Sequence, residues 1–203
     1  MKKSSIVDEN QVSRRTVIAS AAFIPLSAIT LAPQSATAQV PATVLSAEQR
    51  RILEAFIDRL VPKDENGPGA VECGAAEYID RCLADFLASE RHIFLEGLAG
   101  VNAFALRTEG AAFAGLSAEK RDAVLTAIDN NQAPNLRGFF NRVRRLTLEG
   151  MFGDPYYGGN KNFAGWDLIK YPGPRLASSP EDQKLGAAIK PLRVSAYGGS
   201  RGH

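Results

Sequence analysis

The chain has 203 residues, with 24 Lys and Arg against 22 Asp and Glu. The first 38 residues hold four of these basic residues and two of the acidic ones, which leaves 20 of each in the remainder. A nucleic-acid-binding domain needs a distinct basic patch, and a chain of balanced charge gives no reason to expect one. The 165 residues after position 38 are enough for one domain with its own core.

Residues 1–38 have the pattern of an export signal. Arg14 and Arg15 lie in the sequence SRRTVI, which resembles the twin-arginine signal, and a small-x-small cleavage pattern ends at Ala38. The apolar run between them, residues 17–31, is shorter than the roughly 20 residues of a membrane-spanning helix. We expect a cleaved twin-arginine signal peptide and a periplasmic protein; an uncleaved anchor and a general secretory signal are the alternatives. The twin-arginine route carries folded proteins, which indicates a cofactor or a partner that holds one.

After a linker over residues 39–45, residues 46–150 predict a helical domain. Ser46 and Gln49 form a capping box at the start of the first helix, and Pro62 ends it. Apolar residues at helical spacing mark its inner face; they are Ile52, Leu53, Phe56, Ile57 and Leu60.

Four further helices follow in the sequence. They are predicted over residues 71–88, 91–106, 118–129 and 136–149, with Ser117 capping the third of these. Gly97 and Gly100 weaken the helix that contains them, although they permit close helix packing. The residues expected to point inward are Ala75, Tyr78, Ile79, Cys82, Leu83, Phe86, Ile93, Leu98, Val101, Phe104, Val124, Leu125, Ile128, Phe139, Phe140, Val143 and Leu146. Sustained strand-like alternation is absent, so the predicted fold is all-α, a small irregular helical bundle.

Residues 151–174, which we call the aromatic loop, interrupt this helical pattern. Asp154-Pro155 and Gly158-Gly159 are turn signals, and each glycine costs a helix about 1 kcal/mol relative to alanine. The segment nevertheless holds the only tryptophan and two adjacent tyrosines, more aromatic surface than a solvated linker carries. We expect an ordered loop with positive φ angles whose aromatic side chains bury against something.

Residues 175–203 form a C-terminal arm with little core-forming content. Prolines and glycines recur along it, so it is expected to be extended. Two interpretations remain open from the sequence: the arm is disordered, or it lies across a partner and gains order on binding.

The sequence carries no recognisable catalytic or cofactor-binding motif. Its histidines, His92 and the terminal His203, and its two cysteines are too few and too far apart for a zinc site. Gly158 and Gly159 lack the spacing of a nucleotide-binding loop, and the haem-attachment motif Cys-x-x-Cys-His is absent. We therefore expect a chain that is not an enzyme and that binds neither a cofactor nor a metal of its own.

Cys73 and Cys82 are a candidate disulfide pair, because an oxidising compartment favours disulfides. On one continuous helix they would lie roughly 13 Å apart, whereas bonded cysteines have Cα atoms about 4.4–6.8 Å apart. An internal bond therefore requires Cys73 to precede the helix and fold back. Two unpaired thiols and a bond to a partner chain are the alternatives.

Several stretches together resemble the gluconate 2-dehydrogenase subunit 3 family, the small or gamma subunits of flavin-dependent dehydrogenase complexes. The most specific are DPYYGGN at 154–160, then Gly165-Trp166 and YPG at 171–173. The sequences FIDRLVP at 56–62, GPGA at 67–70 and YID at 78–80 continue the likeness. Lys170 stands where we expect a glycine in this family.

The resemblance implies a non-catalytic subunit. In such complexes a large flavin-containing subunit oxidises a sugar or sugar acid, and a multihaem cytochrome c passes the electrons on. FAD and haem c therefore belong to partner subunits. The small subunit supplies the twin-arginine signal, engages the twin-arginine translocation machinery, and supports export, maturation and stability of the flavoprotein at the inner membrane.

We expect the aromatic loop to contact the large subunit, because aromatic residues are favoured at interface hot spots. An internal structural turn is the alternative role for its Gly-Gly-Asn sequence. A free-standing periplasmic sugar-binding protein is the alternative function. The candidate interface residues are Tyr156, Tyr157, Gly158, Gly159, Asn160, Trp166, Tyr171 and Pro172.

Overall fold

The computed structural model describes residues 43–175, 177–187 and 189–198. The predicted signal residues Arg14, Arg15 and Ala38 lie outside this range. Within it the chain forms six α-helices and no strand, which confirms the all-α class. The helices are α1 (Ala47–Leu60), α2 (Ala75–Ala84), α3 (Arg91–Glu109), α4 (Ala118–Asp129), α5 (Pro134–Phe152) and α6 (Ala164–Leu168).

The predicted helix starts at Ser46 and Ser117 are confirmed. The Ser46 hydroxyl accepts from the Gln49 backbone N–H, and the Gln49 side chain accepts from the Ser46 N–H, which completes the capping box. The Ser117 hydroxyl accepts from the Lys120 N–H at the start of α4. α1 ends at Leu60, two residues before Pro62.

Two residues predicted to point inward lie on the surface instead. α2 begins at Ala75, after Gly74 at φ +78°, and ends at Ala84, so Phe86 falls beyond the helix and is 63% exposed. Ile93 is 52% exposed, because the buried stripe of α3 is set by Phe94, whose side chain is 1% exposed. Leu98, Val101 and Ala105 continue that stripe at helical spacing.

Two glycines of α3 allow close contact with α5, as their positions predict. A Cβ at Gly97 would collide with the Phe139 ring, and one at Gly100 would collide with Leu136. Phe139 also meets Phe56 of α1 edge-on, at 6.2 Å between ring centroids. The core therefore joins α1, α3 and α5 through aromatic packing.

The chain before α1 is fixed to α2 by a buried carboxylate. Asp80 accepts hydrogen bonds from the backbone N–H groups of Val44 and Leu45, both at 3.0 Å. Asp80 is 5% exposed, and these bonds satisfy one of its oxygens. The first described residues are thus part of the folded domain.

In the portion of the chain that the structure describes, each helix is too short or too polar to cross a membrane.

Candidate partner-binding loop

The aromatic loop is ordered by short turns and by the hydrogen bonds of one buried polar side chain, Asn160. Asp154 accepts from the Tyr156 N–H at 2.9 Å and so caps the turn Pro155–Tyr157. A second turn, Lys161–Phe163, leads into α6. The predicted ordered segment is therefore built from short hydrogen-bonded turns.

Asn160 is the central hydrogen-bonding residue of the loop and is fully buried. Its backbone N–H donates to Gly150 O at 2.7 Å, and its side-chain amide donates to Gly153 O at 2.9 Å. Its side-chain oxygen accepts from the N–H groups of Gly165 and Trp166. One side chain thus joins the end of α5 to the start of α6.

Two glycines place the loop directly against the end of α5. A Cβ at Gly159 would collide with the carbonyl oxygen of Gly150, and one at Gly165 would collide with that of Met151. Both are positions of close backbone approach, which only glycine tolerates.

Positive φ angles are concentrated in the aromatic loop, as expected. Outside glycine, Asn160, Asn162, Phe163 and Lys170 have φ of 46°, 54°, 61° and 56°. Asparagine tolerates this region, whereas for phenylalanine and lysine it is unfavourable. Lys170 therefore occupies a conformation that suits the glycine expected there.

Trp166 is a structural residue of the loop. It is 6% exposed, and its indole N–H donates to the Phe152 carbonyl at 2.9 Å. The Tyr171 ring lies edge-on at 4.8 Å and the Phe163 ring at 5.4 Å. The indole rings thus pack against aromatic side chains of the same chain, and the indole N–H has a hydrogen-bond acceptor there.

A three-residue ion-pair network holds the loop to the helical bundle. Glu77 of α2 accepts from Arg50 of α1 at 2.7 Å and from Lys161 at 3.1 Å. The Lys161 backbone N–H also donates to Cys73 O. Burial opposes ionisation of Glu77, but its backbone hydrogen bond, Lys161 and Arg50 outweigh that effect and lower its pKa.

The C-terminal arm returns to the aromatic loop and completes an aromatic cluster. The Tyr197 ring lies 5.1 Å from Tyr156 and 5.6 Å from Tyr157, and the two loop tyrosines are 5.3 Å apart. A hydrogen bond between the Tyr157 and Tyr197 side chains is the largest of the effects that raise the pKa of Tyr157. The sequence offers no signal for this pairing, since 40 residues separate Tyr157 from Tyr197.

The predicted interface residues separate into an inner and an outer group. Tyr157 and Tyr171 are 47% and 40% exposed, and Tyr156 and Pro172 are half-buried. The residues inside the loop are Gly158, Gly159, Asn160 and Trp166. In this conformation the inner group shapes the loop, and the outer tyrosines are the side chains that a partner can reach.

Cys73 and Cys82 are both free and buried thiols in the structure. Cys73 precedes α2, and Cys82 lies within it. Burial raises the pKa of both thiols, that of Cys82 to about 11. Such thiols are unreactive near neutral pH.

The described part of the chain holds no group of three His, Cys, Asp or Glu side chains placed to bind a metal ion. His92 is exposed at the start of α3. A shallow cleft beside α1 is lined by Arg51, Glu54, Ala55, Asp58, Val71, Glu72, Ala114 and Arg121. This lining contains no serine, cysteine or histidine to serve as nucleophile or base.

Comparison with known proteins gives one match. A search of curated proteins and a search of solved structures found none. The model of one protein family, described as gluconate 2-dehydrogenase subunit 3, matches residues 47–173, from the first residue of α1 to the end of the YPG sequence. The match covers more than half of the chain and includes both the helical bundle and the aromatic loop. The chain therefore belongs to the gluconate 2-dehydrogenase subunit 3 family, the accessory subunits of a dehydrogenase complex.

Proposed function

We propose that this accessory subunit accompanies a large flavin-containing subunit that oxidises a sugar or sugar acid, and that it supports the export, maturation and stability of that subunit. FAD then belongs to the large subunit and haem c to a multihaem cytochrome c partner. The assembly is periplasmic and is held at the inner membrane by the partner subunits. The observation that carries the proposal is the family match over residues 47–173.

Two features of the chain support this role. The SRRTVI sequence at residues 13–18 has the pattern of a signal for folded cargo, which suits a subunit exported together with a flavoprotein. The aromatic loop is fixed by Asn160 and Glu77, so it presents Tyr157 and Tyr171 from a rigid base. Rigid exposed tyrosines are favoured interface anchors, because little side-chain entropy is lost on binding.

The alternative of a free-standing sugar-binding protein has less support. A sugar platform needs an exposed aromatic face, and the largest aromatic side chain of the loop, Trp166, is turned inward to Phe152 and Tyr171. Tyr157 and Tyr171 are exposed, but neither lines the cleft beside α1.

The proposal is tested by co-purification from the periplasm. A C-terminally tagged chain is expected to retain a large partner protein and to give an eluate with flavin absorbance. In cells that express the Arg14→Lys, Arg15→Lys chain, the flavoprotein should remain in the cytoplasm, because paired export requires the twin-arginine signal. A colourless eluate that contains only this chain, from cells that express the flavoprotein, would contradict the proposal.

A further inference from the structure

Residues 191–198, which we call the strap, lie along the aromatic loop and contact it at several points. The Leu192 N–H donates to Pro172 O at 2.8 Å. The Arg193 guanidinium donates to the Asp167 carboxylate at 2.6 Å. The Ala196 N–H donates to the second carboxylate oxygen of Asp154 at 2.8 Å.

The strap ends in the tyrosine cluster. Tyr197 places its ring against those of Tyr156 and Tyr157, four residues after Arg193. At the other end, a Cβ at Gly173 would collide with Leu192 O, so this glycine keeps the strap close to the loop. The strap bends at Val194 and turns at residues 195–198, where the Gly198 N–H donates to Ser195 O. The loop therefore contacts this peptide through the peptide's backbone, one cationic side chain and one aromatic side chain.

These contacts hold the strap weakly. None of its described residues is buried, and the Arg193 and Asp167 side chains are 50% and 44% exposed. Ion pairs at such exposure contribute little to stability. The strap also lies beyond the family match, whereas Asp154, Asp167 and Pro172 lie within it. The surface that receives the strap thus lies within the residues that match the family, whereas the strap itself does not.

We propose that Asp154, Asp167, Pro172 and the Tyr156–Tyr157 pair form a binding site for a peptide, which the strap occupies in the free subunit. The ligand is a segment that bends after an arginine and carries an aromatic residue four positions later. In the assembled complex this segment comes from another subunit and displaces the strap. That assignment of the partner rests on the proposed accessory role, whereas the peptide site itself does not.

The chemistry of the site selects this ligand. Two carboxylates of the loop, Asp154 and Asp167, face the strap, and one of them already accepts from a backbone N–H. An acidic peptide would meet like charge at Asp167, whereas arginine can form charge-assisted hydrogen bonds there. The strap is tethered to the site, so its effective concentration is roughly millimolar, and an added peptide must compete with it.

The test uses a fluorescein-labelled peptide with the sequence of residues 189–198, IKPLRVSAYG. It is titrated into the full chain and into an Arg193→Ala, Tyr197→Ala chain, in which the strap has lost both side-chain contacts. We expect the peptide to bind the released chain at least tenfold more tightly than the wild-type chain. A peptide with alanine in place of its arginine should bind the released chain more weakly.

Two further variants show whether the peptide binds at Asp167 and not simply to any exposed acidic side chain. Adding Asp167→Asn to the released chain should remove most of the peptide affinity, whereas adding Asp129→Asn, an exposed acid at the end of α4, should not. Thermal melts check that each variant is folded. Equal binding to the wild-type and released chains, absence of binding to both, or an equal loss from the two added substitutions would overturn the proposal. None of these outcomes affects co-purification of the flavoprotein, so failure of the site and failure of the accessory role are distinguishable.

Discussion

At the scale of single residues, Asn160 determines the shape of the aromatic loop. Its side chain donates to Gly153 and accepts from Gly165 and Trp166, and it is fully buried. An Asn160→Asp substitution keeps the shape but replaces a donor with a buried charge that faces a carbonyl oxygen. We expect the free energy of unfolding, measured in urea, to fall by about 3 kcal/mol.

Asn162 offers a matched control for this substitution. It has a similar positive φ of 54°, but it is exposed. Asn162→Asp should therefore change the free energy of unfolding by less than about 0.5 kcal/mol. Equal losses at the two positions would mean that the Asn160 hydrogen bonds do not determine the stability of the loop.

Lys170 is a position where a glycine should stabilise the protein. Its φ of 56° lies in the left-handed region, which costs a residue with a Cβ about 1–2 kcal/mol. Glycine avoids this cost but loses roughly 0.5–1 kcal/mol of extra chain entropy on folding. Lys170→Gly should therefore raise the free energy of unfolding by up to about 1.5 kcal/mol. Lys170→Ala, which keeps a Cβ, should not raise it.

Mass spectrometry after thiol labelling distinguishes two free cysteines from a disulfide. Since both are buried free thiols with raised pKa, iodoacetamide at neutral pH should label neither in the folded chain. Both should be labelled in denaturant without a reducing agent. A periplasmic sample that labels only after reduction would instead contain one of the disulfides considered from the sequence.

At the scale of elements, the aromatic loop is joined to α1 and α2 through Glu77. Against the effect of burial, its backbone hydrogen bond, Lys161 and Arg50 lower its pKa in the folded chain, so its ionised form stabilises the fold. That contribution is complete above the ordinary value of 4.5 and is lost as the pH falls through the lower folded value. The free energy of unfolding of Glu77→Gln should therefore approach that of the wild-type chain as the pH falls from 7 to below 4. A difference that stays constant with pH would show that the charge of Glu77 is not what holds the loop.

The helices were predictable because their signals are local. Ser46, Gln49 and Ser117 are caps whose partners lie three residues away, and the buried faces of α1 and α4 follow the apolar spacing. Phe86 was misplaced because α2 ends at Ala84, before the apolar pattern does. Ile93 was misplaced because it and Phe94 are adjacent apolar residues in the first turn of α3, and packing against α5 buries Phe94.

The sequence predicts which segment forms the candidate site, but not which of its side chains are buried or which distant residues contact it. Glycines and aromatic residues indicate an ordered loop, but which aromatic side chain is buried depends on a distant acceptor, the Phe152 carbonyl for Trp166. Glu77, Arg193 and Tyr197 were not predicted as part of the site, because each meets the loop through a contact that sequence spacing does not encode.

At the scale of the whole molecule, the exposed loop tyrosines are the predicted contacts with the flavoprotein. Tyr157→Ala combined with Tyr171→Ala should reduce the co-purifying flavoprotein by at least tenfold, since truncating interface anchors typically costs about 2 kcal/mol or more. The fold should persist because both side chains are substantially exposed. Phe86→Ala removes an even more exposed aromatic side chain just after α2 and should leave the yield unchanged. Wild-type yield from the double variant would exclude these tyrosines as anchors.

The attachment of Val44 and Leu45 to Asp80 has a consequence for the timing of the export that we propose. The attachment point exists only after α2 has formed and packed beside the start of α1. Val44 lies six residues after Ala38, where we predict cleavage. For the export that we propose, this anchor, six residues from the predicted cleavage site, would exist only in a folded chain, which is the state that the twin-arginine route carries.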